Sequence, residues 1–189
     1  MQLITVTQPT EEPVSYQEAK DYLRLGLDQE QTLIESYITS AREFCEKYQN
    51  KTYLTTVYKY VTDDVAFPIV LPNPPIQSVE KIEFQKRDGT ITEWDNTNYV
   101  VDTSGRFGVI RPAESYELPE NLASVNTLQI TYTAGNTSTA EVSERVKNAI
   151  KLLVSHWYEN RVPVSMNTMT YNIQFTVNAL LDQDRVMPV

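Results

Sequence analysis

The sequence predicts an α+β fold: a small helical bundle of two N-terminal helices and a third long one, carrying a β-rich insertion of short antiparallel strands and an extended C-terminal tail. Three observations predict it. Apolar residues recur at helical spacing from Leu33 to Tyr48 and again from Val146 to Trp157. Between them, from Thr52 to Thr133, Thr, Val, Tyr and Ile dominate, with proline and turn residues at short intervals. The strand patterns follow one another without intervening helices, which excludes a βαβ arrangement. At 189 residues the chain suits a single domain spanning 1–189. Its parts are an extended N-terminal arm (1–14), a helical part (15–50), the β-rich insertion (52–134), the third helix (141–161) and a C-terminal tail (162–189).

In the arm, Ile4 and Val6 alternate with polar neighbours, and Pro9 and Pro13 block a helix. Ser15 and Glu18 form the S-x-x-E capping box, with Val14 and Ala19 as a weak hydrophobic staple, so a short helix should run from Tyr16 to about Arg24. Gly26 stops it. Asp28 is the expected cap of the second helix, with Gln31 at the capping-box position. Leu33, Ile34, Tyr37, Ile38, Ala41, Phe44, Cys45 and Tyr48 make its apolar stripe, while Glu30, Glu35, Ser40, Glu43 and Lys47 fall largely opposite. Ile34, Ile38 and Phe44 are therefore expected in the core, and Cys45 is read as a buried small hydrophobe.

The segment TYLTTVYKYV reads as a strand, and FPIVLPNPPIQSV, with four prolines, as a rigid extended connector. Ser78–Lys86 and Thr90–Trp94 flank the hairpin signal Asp88-Gly89. Tyr99–Asp102 and Phe107–Arg111 flank Ser104-Gly105, and LQITYT is a last strand ended at Ala134-Gly135. Helix then returns: Ser143, or a residue just before it, opens it, Val146, Ala149, Ile150, Leu153 and Trp157 line one stripe, and Pro163 ends it. Ile150, Leu153 and Trp157 are expected core residues. In the tail, the alternation of Tyr171, Ile173, Phe175 and Val177 suits an extended segment, with a short helix from Ala179 to Arg185.

Composition narrows the function. Hydrophobic residues make up 41%, enough for a core. Apolar runs such as Ala149–Val154 are far too short to span a bilayer. The N-terminal stretch lacks the basic start and apolar run of a signal peptide, so synthesis in a cytoplasm is expected. The single Cys45 excludes an internal disulfide and a multi-cysteine zinc site. A formal net charge of −9 with scattered Lys and Arg disfavours binding the outside of DNA. The twelve tyrosines suit half-buried strand positions as well as interfaces.

The stretch KLLVSHWYENR holds His156, the only histidine, beside Ser155. On a helix Ser155 points about 100° away from it and cannot be its nucleophile. His156 itself lies about 80° from the centre of the apolar stripe, at the edge of the buried face. Glu159 lies within reach of His156. No EF-hand loop, GxxxxGK[ST] or GxGxxG is present, and Gly105-Arg106-Phe107-Gly108 is too short for a phosphate cradle. No catalytic, cofactor-binding or metal-ligating set is assigned, and the chain is not expected to be an enzyme.

The order PVSYQEAKDYLRL, LIESYITSAREFCEKY, LPNPPIQSVEKIEF, YVVD, ITYTAGN, VKNAIKLLVSHWYENR resembles the head–tail connector (adaptor, head-completion) family of tailed bacteriophages and prophages, from about Pro13 to Val186. The ending FTVNALLDQDRV is similar as well. The resemblance implies a non-catalytic structural protein of the virion neck, made and assembled in the host bacterial cytoplasm. It would form a ring of about twelve copies under the portal, though a monomer in isolation is compatible with it. It would bind the portal on one side and a neck, stopper or tail protein on the other, with DNA passing through the channel without specific binding, and with no membrane. His156 and Trp157 would then pack helix against helix.

Three other readings have their own signatures. A stopper or tail-completion factor would be more β-dominated and lack the long third helix. A hydrolase using His156 would need a pocket and a partner for it. A DNA-binding module would need a basic stripe. For the connector, Tyr171, Ile173, Phe175, Leu180 and Leu181 are the expected contact residues, because they alternate or cluster in a segment with no evident place in a core; the alternative is that they fold back onto their own subunit. Arm and tail are expected to reach over a neighbour and order on assembly, and deletion from Val164 onward to leave a folded monomer that cannot assemble.

Overall fold

The computed structural model describes residues 1–26, 30–160 and 170–187, with the backbone alone at 170–174. The chain divides into two compact units. One takes residues 1–10 and 55–136, the other 11–54 and 137–187. Described residues form four α-helices and two antiparallel sheets, an α+β protein.

The β unit contains β1 (Gln2–Thr7), β2 (Thr56–Thr62), β3 (Ile69–Val70), β4 (Ile76–Gln85), β5 (Ile91–Glu93), β6 (Tyr99–Asp102), β7 (Val109–Pro112) and β8 (Leu128–Ala134). They order as β1-β2-β8-β4-β5 in one sheet and β3-β7-β6 in the other. The expected N-terminal arm is therefore an edge strand. Gln2 pairs with Val61 and Thr5 with Tyr58, which satisfies backbone groups that a free arm would leave to water. The β-rich region is not a simple insertion, since residues 1–10 complete it.

LQITYT is the central strand. Leu128, Ile130 and Tyr132 point into the core with no exposed area, and Gln129 and Thr131 on the other face are nearly as buried. Ile82 and Phe84 of β4 lie opposite Ile130 and Leu128. Ile69 and Ile110 bring the smaller sheet into the same core, together with Trp94, whose indole N–H donates to the Glu117 carbonyl at 2.8 Å. In the four-proline segment Ile69–Val70 pairs as β3, and β4 takes the end of the segment, starting at Ile76, two residues before the expected Ser78. At the Asp88-Gly89 hairpin, Gly89 sits at φ +86°, a conformation that favours glycine. β7 starts at Val109 rather than Phe107. Gly108 is there for space: a Cβ on it would lie 2.7 Å from Ile76 Cγ1.

The helical unit contains α1 (Tyr16–Leu23), α2 (Gln31–Gln49), α3 (Glu144–Glu159) and α4 (Thr170–Leu181). The capping box of α1 is closed in both directions. Glu18 N–H donates to Ser15 Oγ at 3.2 Å, and Ser15 N–H donates to Glu18 Oε2 at 2.7 Å. That hydrogen bond holds the Glu18 carboxyl below its usual range. Val14 and Ala19 are both buried beside it. Ser15→Ala should cost about 1 kcal/mol in urea denaturation with an unchanged slope. The helix ends at Leu23, with Arg24 as its C-cap in the left-handed region, two residues before the Gly26 expected to stop it. The proposed cap Asp28 lies outside the described residues, and Glu30 occupies the N-cap of α2 without a side-chain cap bond. Ser143 caps α3 as expected, accepting from Arg145 N–H.

Ile34, Ile38, Ala41 and Cys45 of α2 pack against Val146, Ala149, Ile150, Leu153 and Val154 of α3 in one core. Phe44 is a correction: it is 40% exposed and stacks on Tyr48 with centroids 6.5 Å apart. It lies about 90° from the Ile34–Ile38–Ala41–Cys45 line, and the buried face turns the other way, toward Arg42 and Gln49. The tail is a second correction, because residues 170–181 form a helix rather than an extended segment. Val177 and Leu181, four apart, are fully buried in the core, and their tertiary burial outweighs the two-residue alternation.

Candidate assembly surfaces

The chemistry-bearing residues do not converge. His156 is half-buried, and its Nδ1 lies 3.2 Å from Asn160 Nδ2. Ser155 Oγ faces Glu159 Oε1 at 3.5 Å, so the carboxylate expected near His156 is turned to the serine. Cys45 is fully buried, and burial pushes its thiol up to about 12, the opposite of nucleophile activation. Among the described residues no three His, Cys, Asp or Glu side chains are grouped to hold a metal. A shallow cavity of about 210 Å³ opens beside Tyr60, Asp64 and Ile69. Its carboxylate is engaged, with Asp64 Oδ1 accepting Ala66 N–H at 3.0 Å.

Trp157 is half-buried against the core and meets Tyr37 of α2 edge-on, centroids 6.2 Å apart. Tyr158 donates to Glu30 at 2.8 Å. Within Lys151–Asn160, Trp157 thus packs helix against helix and Tyr158 ties α3 to Glu30. Because Trp157 keeps part of its surface in water, Trp157→Ala should cost about 2–3 kcal/mol, below the 3–5 of a fully buried aromatic. Thermal melts of the two proteins check this.

Two buried polar networks escaped sequence reasoning. Arg42, 3% exposed, donates from Nε to Glu12 at 2.8 Å and from Nη1 to Glu46 at 2.7 Å. Glu46 also accepts Tyr53 N–H at 2.8 Å. Burial pushes the Glu46 carboxyl up, with Arg42 pulling against it. The available signal was the i,i+4 spacing of Arg42 and Glu46 beside Cys45. The second network clasps the C-terminal segment. Gln49 donates to the Leu181 carbonyl at 2.6 Å and accepts from Tyr53 at 2.7 Å. Val186 N–H donates to the Gln49 carbonyl at 2.9 Å, and Tyr48 donates to Asp182 at 2.6 Å.

The expected contact residues separate accordingly. Phe175 is 76% exposed, Leu180 is half-buried against the core, and Leu181 is fully buried, which removes it as a free contact residue. The side chains of Tyr171 and Ile173 lie outside the described residues. In the β unit, exposed apolar side chains include Ile4 and Val6 on β1, Ile91 on β5 and Val100 on β6, all on edge strands, and Tyr116, Leu118 and Val125 between β7 and β8.

Buried polar groups here serve packing, and exposed apolar side chains remain on edge strands, on loops of the β unit and on α1, α2 and α4, where they offer candidate contact surfaces. The model of the head completion protein family matches residues 13–181, and the chain belongs to that family. Three solved structures share its fold. A chain from the neck of an empty gene transfer agent particle computed with C6 symmetry is 23% identical with a TM-score of 0.78. One from the virion of the native gene transfer agent particle is 23% identical at 0.79. One from the neck of the native particle computed with C12 symmetry is 21% identical at 0.71. Each comparison covers 100% of this chain and 97% of the other. No curated protein matches the sequence.

Proposed function

We propose that this protein is a non-catalytic head–tail adaptor that sits in the virion neck as a ring under the portal, extends the DNA channel and docks the next neck or tail component. The observation that carries the reading is the head completion family match across 13–181, which takes in both units. The neck origin of two similarly folded chains supports the place, and their C6 and C12 symmetry supports a ring. A net charge of −9 suits a channel through which DNA slides without sticking. His156 serves the fold, and no step of chemistry is assigned to it.

Native mass spectrometry with negative-stain microscopy, with and without purified portal, tests this. Rings with a hole wide enough for a B-form duplex, alone or on the portal, are the expected result. A protein that stays monomeric and ignores the portal overturns it.

A further inference from the structure

We infer that copies of this chain join head to tail through the strand edges of the β unit, the β1 edge of one copy pairing with the β6 edge of the next. This rests on the ring reading above and supplies its contact.

The first support is that β1 is an unprotected edge. Gln2–Thr7 pairs with β2 on one side and with no described strand on the other. Such edges are templates for another strand, and proteins blunt them with lysine, proline or bulges. Met1–Thr10 has no charged side chain, although the chain carries 25 acidic residues. The register shift between Thr5 and Thr7 leaves Gln2–Thr5 regular. Ile4 and Val6 are 40% and 57% exposed.

The second support is a matching edge on the opposite side of the same unit. β6 pairs only with β7 among the described strands, Asn96–Val101 is likewise uncharged, and Asp102 at the end of β6 is paired with Arg111 Nη1 at 3.1 Å. Val100 is 59% exposed there, and Ile91 of neighbouring β5 is 50% exposed. The placement is fixed by contacts. One cavity joins Met1 and Tyr60 to Ile69 and Val70, so β3 lies by the β1–β2 side. Trp94, just after β5, stacks on Tyr99 of β6 with centroids 5.4 Å apart, so β6 lies by the β5 side.

Two different, complementary edges on opposite sides give a heterologous contact, which propagates from copy to copy and forms the closed ring of the reading above when the rotation between copies closes. A β1–β1 contact would be isologous and stop at a dimer. In a chain of net charge −9, the uncharged stretches Met1–Thr10 and Asn96–Val101 are where copies approach with least repulsion.

The test uses the full chain with Ile4→Glu and Val100→Glu, each altering an exposed side chain at one edge. Each variant alone should be monomeric by native mass spectrometry at concentrations where the wild type, alone or on portal, forms rings. A 1:1 mixture should give a heterodimer and nothing larger, because one intact β1 edge meets one intact β6 edge. Matching circular dichroism melts exclude unfolding, and Ile4→Ser with Val100→Ser repeats the test where a glutamate unfolds the chain. Rings that survive both substitutions overturn this contact while leaving the ring standing. Val100→Glu dimers also overturn it, in favour of β1–β1 pairing. A mixture that stays monomeric overturns it, and a wild type that never assembles overturns it together with the ring.

Discussion

Truncation after Asn160 is expected to unfold the helical unit. Val177, Leu181 and Val186 are each at most 2% exposed, and all three lie in the segment that would be lost. Burying side chains of this size contributes about 1.5–3 kcal/mol each. The truncation also removes the partners of Gln49, Asn50 and Tyr48, whose hydrogen bonds contribute about 1 kcal/mol apiece. Against a typical total stability of about 5–15 kcal/mol, that loss is decisive. The buried amide of Gln49 would also be left without its acceptor, the Leu181 carbonyl. Helical circular dichroism and the melt of the truncated chain measure the effect. A cooperative melt within a few degrees of the full chain would show the C-terminal segment to be dispensable, as its sequence alone suggests. Leu181→Ala in the full chain separates packing from length, and should cost about 2–5 kcal/mol.

Arg42→Ala should destabilise the helical unit by about 3–5 kcal/mol at neutral pH. The guanidinium is the shared donor for Glu12 and Glu46, and removing it strands a nearly buried carboxylate. Arg42→Met together with Glu46→Leu replaces the pair by apolar groups of similar volume and should recover most of the loss. The deficit of the single variant should also shrink in acid. A carboxyl whose folded pKa is raised contributes stability below its unfolded value of about 4.3, and loses it as pH rises through the folded value. Urea denaturation at neutral pH and near pH 4 checks both. An equal deficit at the two values would mean that Arg42 matters for its packing and not for its charge.

Periodicity made α2 and α3 legible because their buried stripes, through Ile34, Ile38, Ile150 and Leu153, follow the helical repeat. The hairpins were legible because Asp88-Gly89 and Ser104-Gly105 are local turn signals. The capping box of α1 was legible because both partners lie within three residues. The remaining features depend on residues far apart in sequence. Alternation from Tyr171 to Val177 is compatible with strand or helix, and the core that claims Val177 and Leu181 comes from α2 and α3. Phe44 met the spacing rule, yet the buried face turned toward Arg42 and Gln49, whose partners Glu12 and Leu181 lie 30 and 132 residues away.

By itself, then, the sequence determined the α+β class, the order of the first three helices and the main strands, and most of the helix faces, since each rests on spacing or on local turn and cap chemistry; the order of its motifs separately carried the resemblance to head-completion proteins. Only the tertiary structure decided that residues 2–7 are an edge strand, that residues 170–181 are a helix locked into the core, and that Arg42 is buried with two carboxylates. Those outcomes depend on which distant groups share a surface. Local propensity is worth a few tenths of a kcal/mol per residue, and the burial of a single side chain outweighs it.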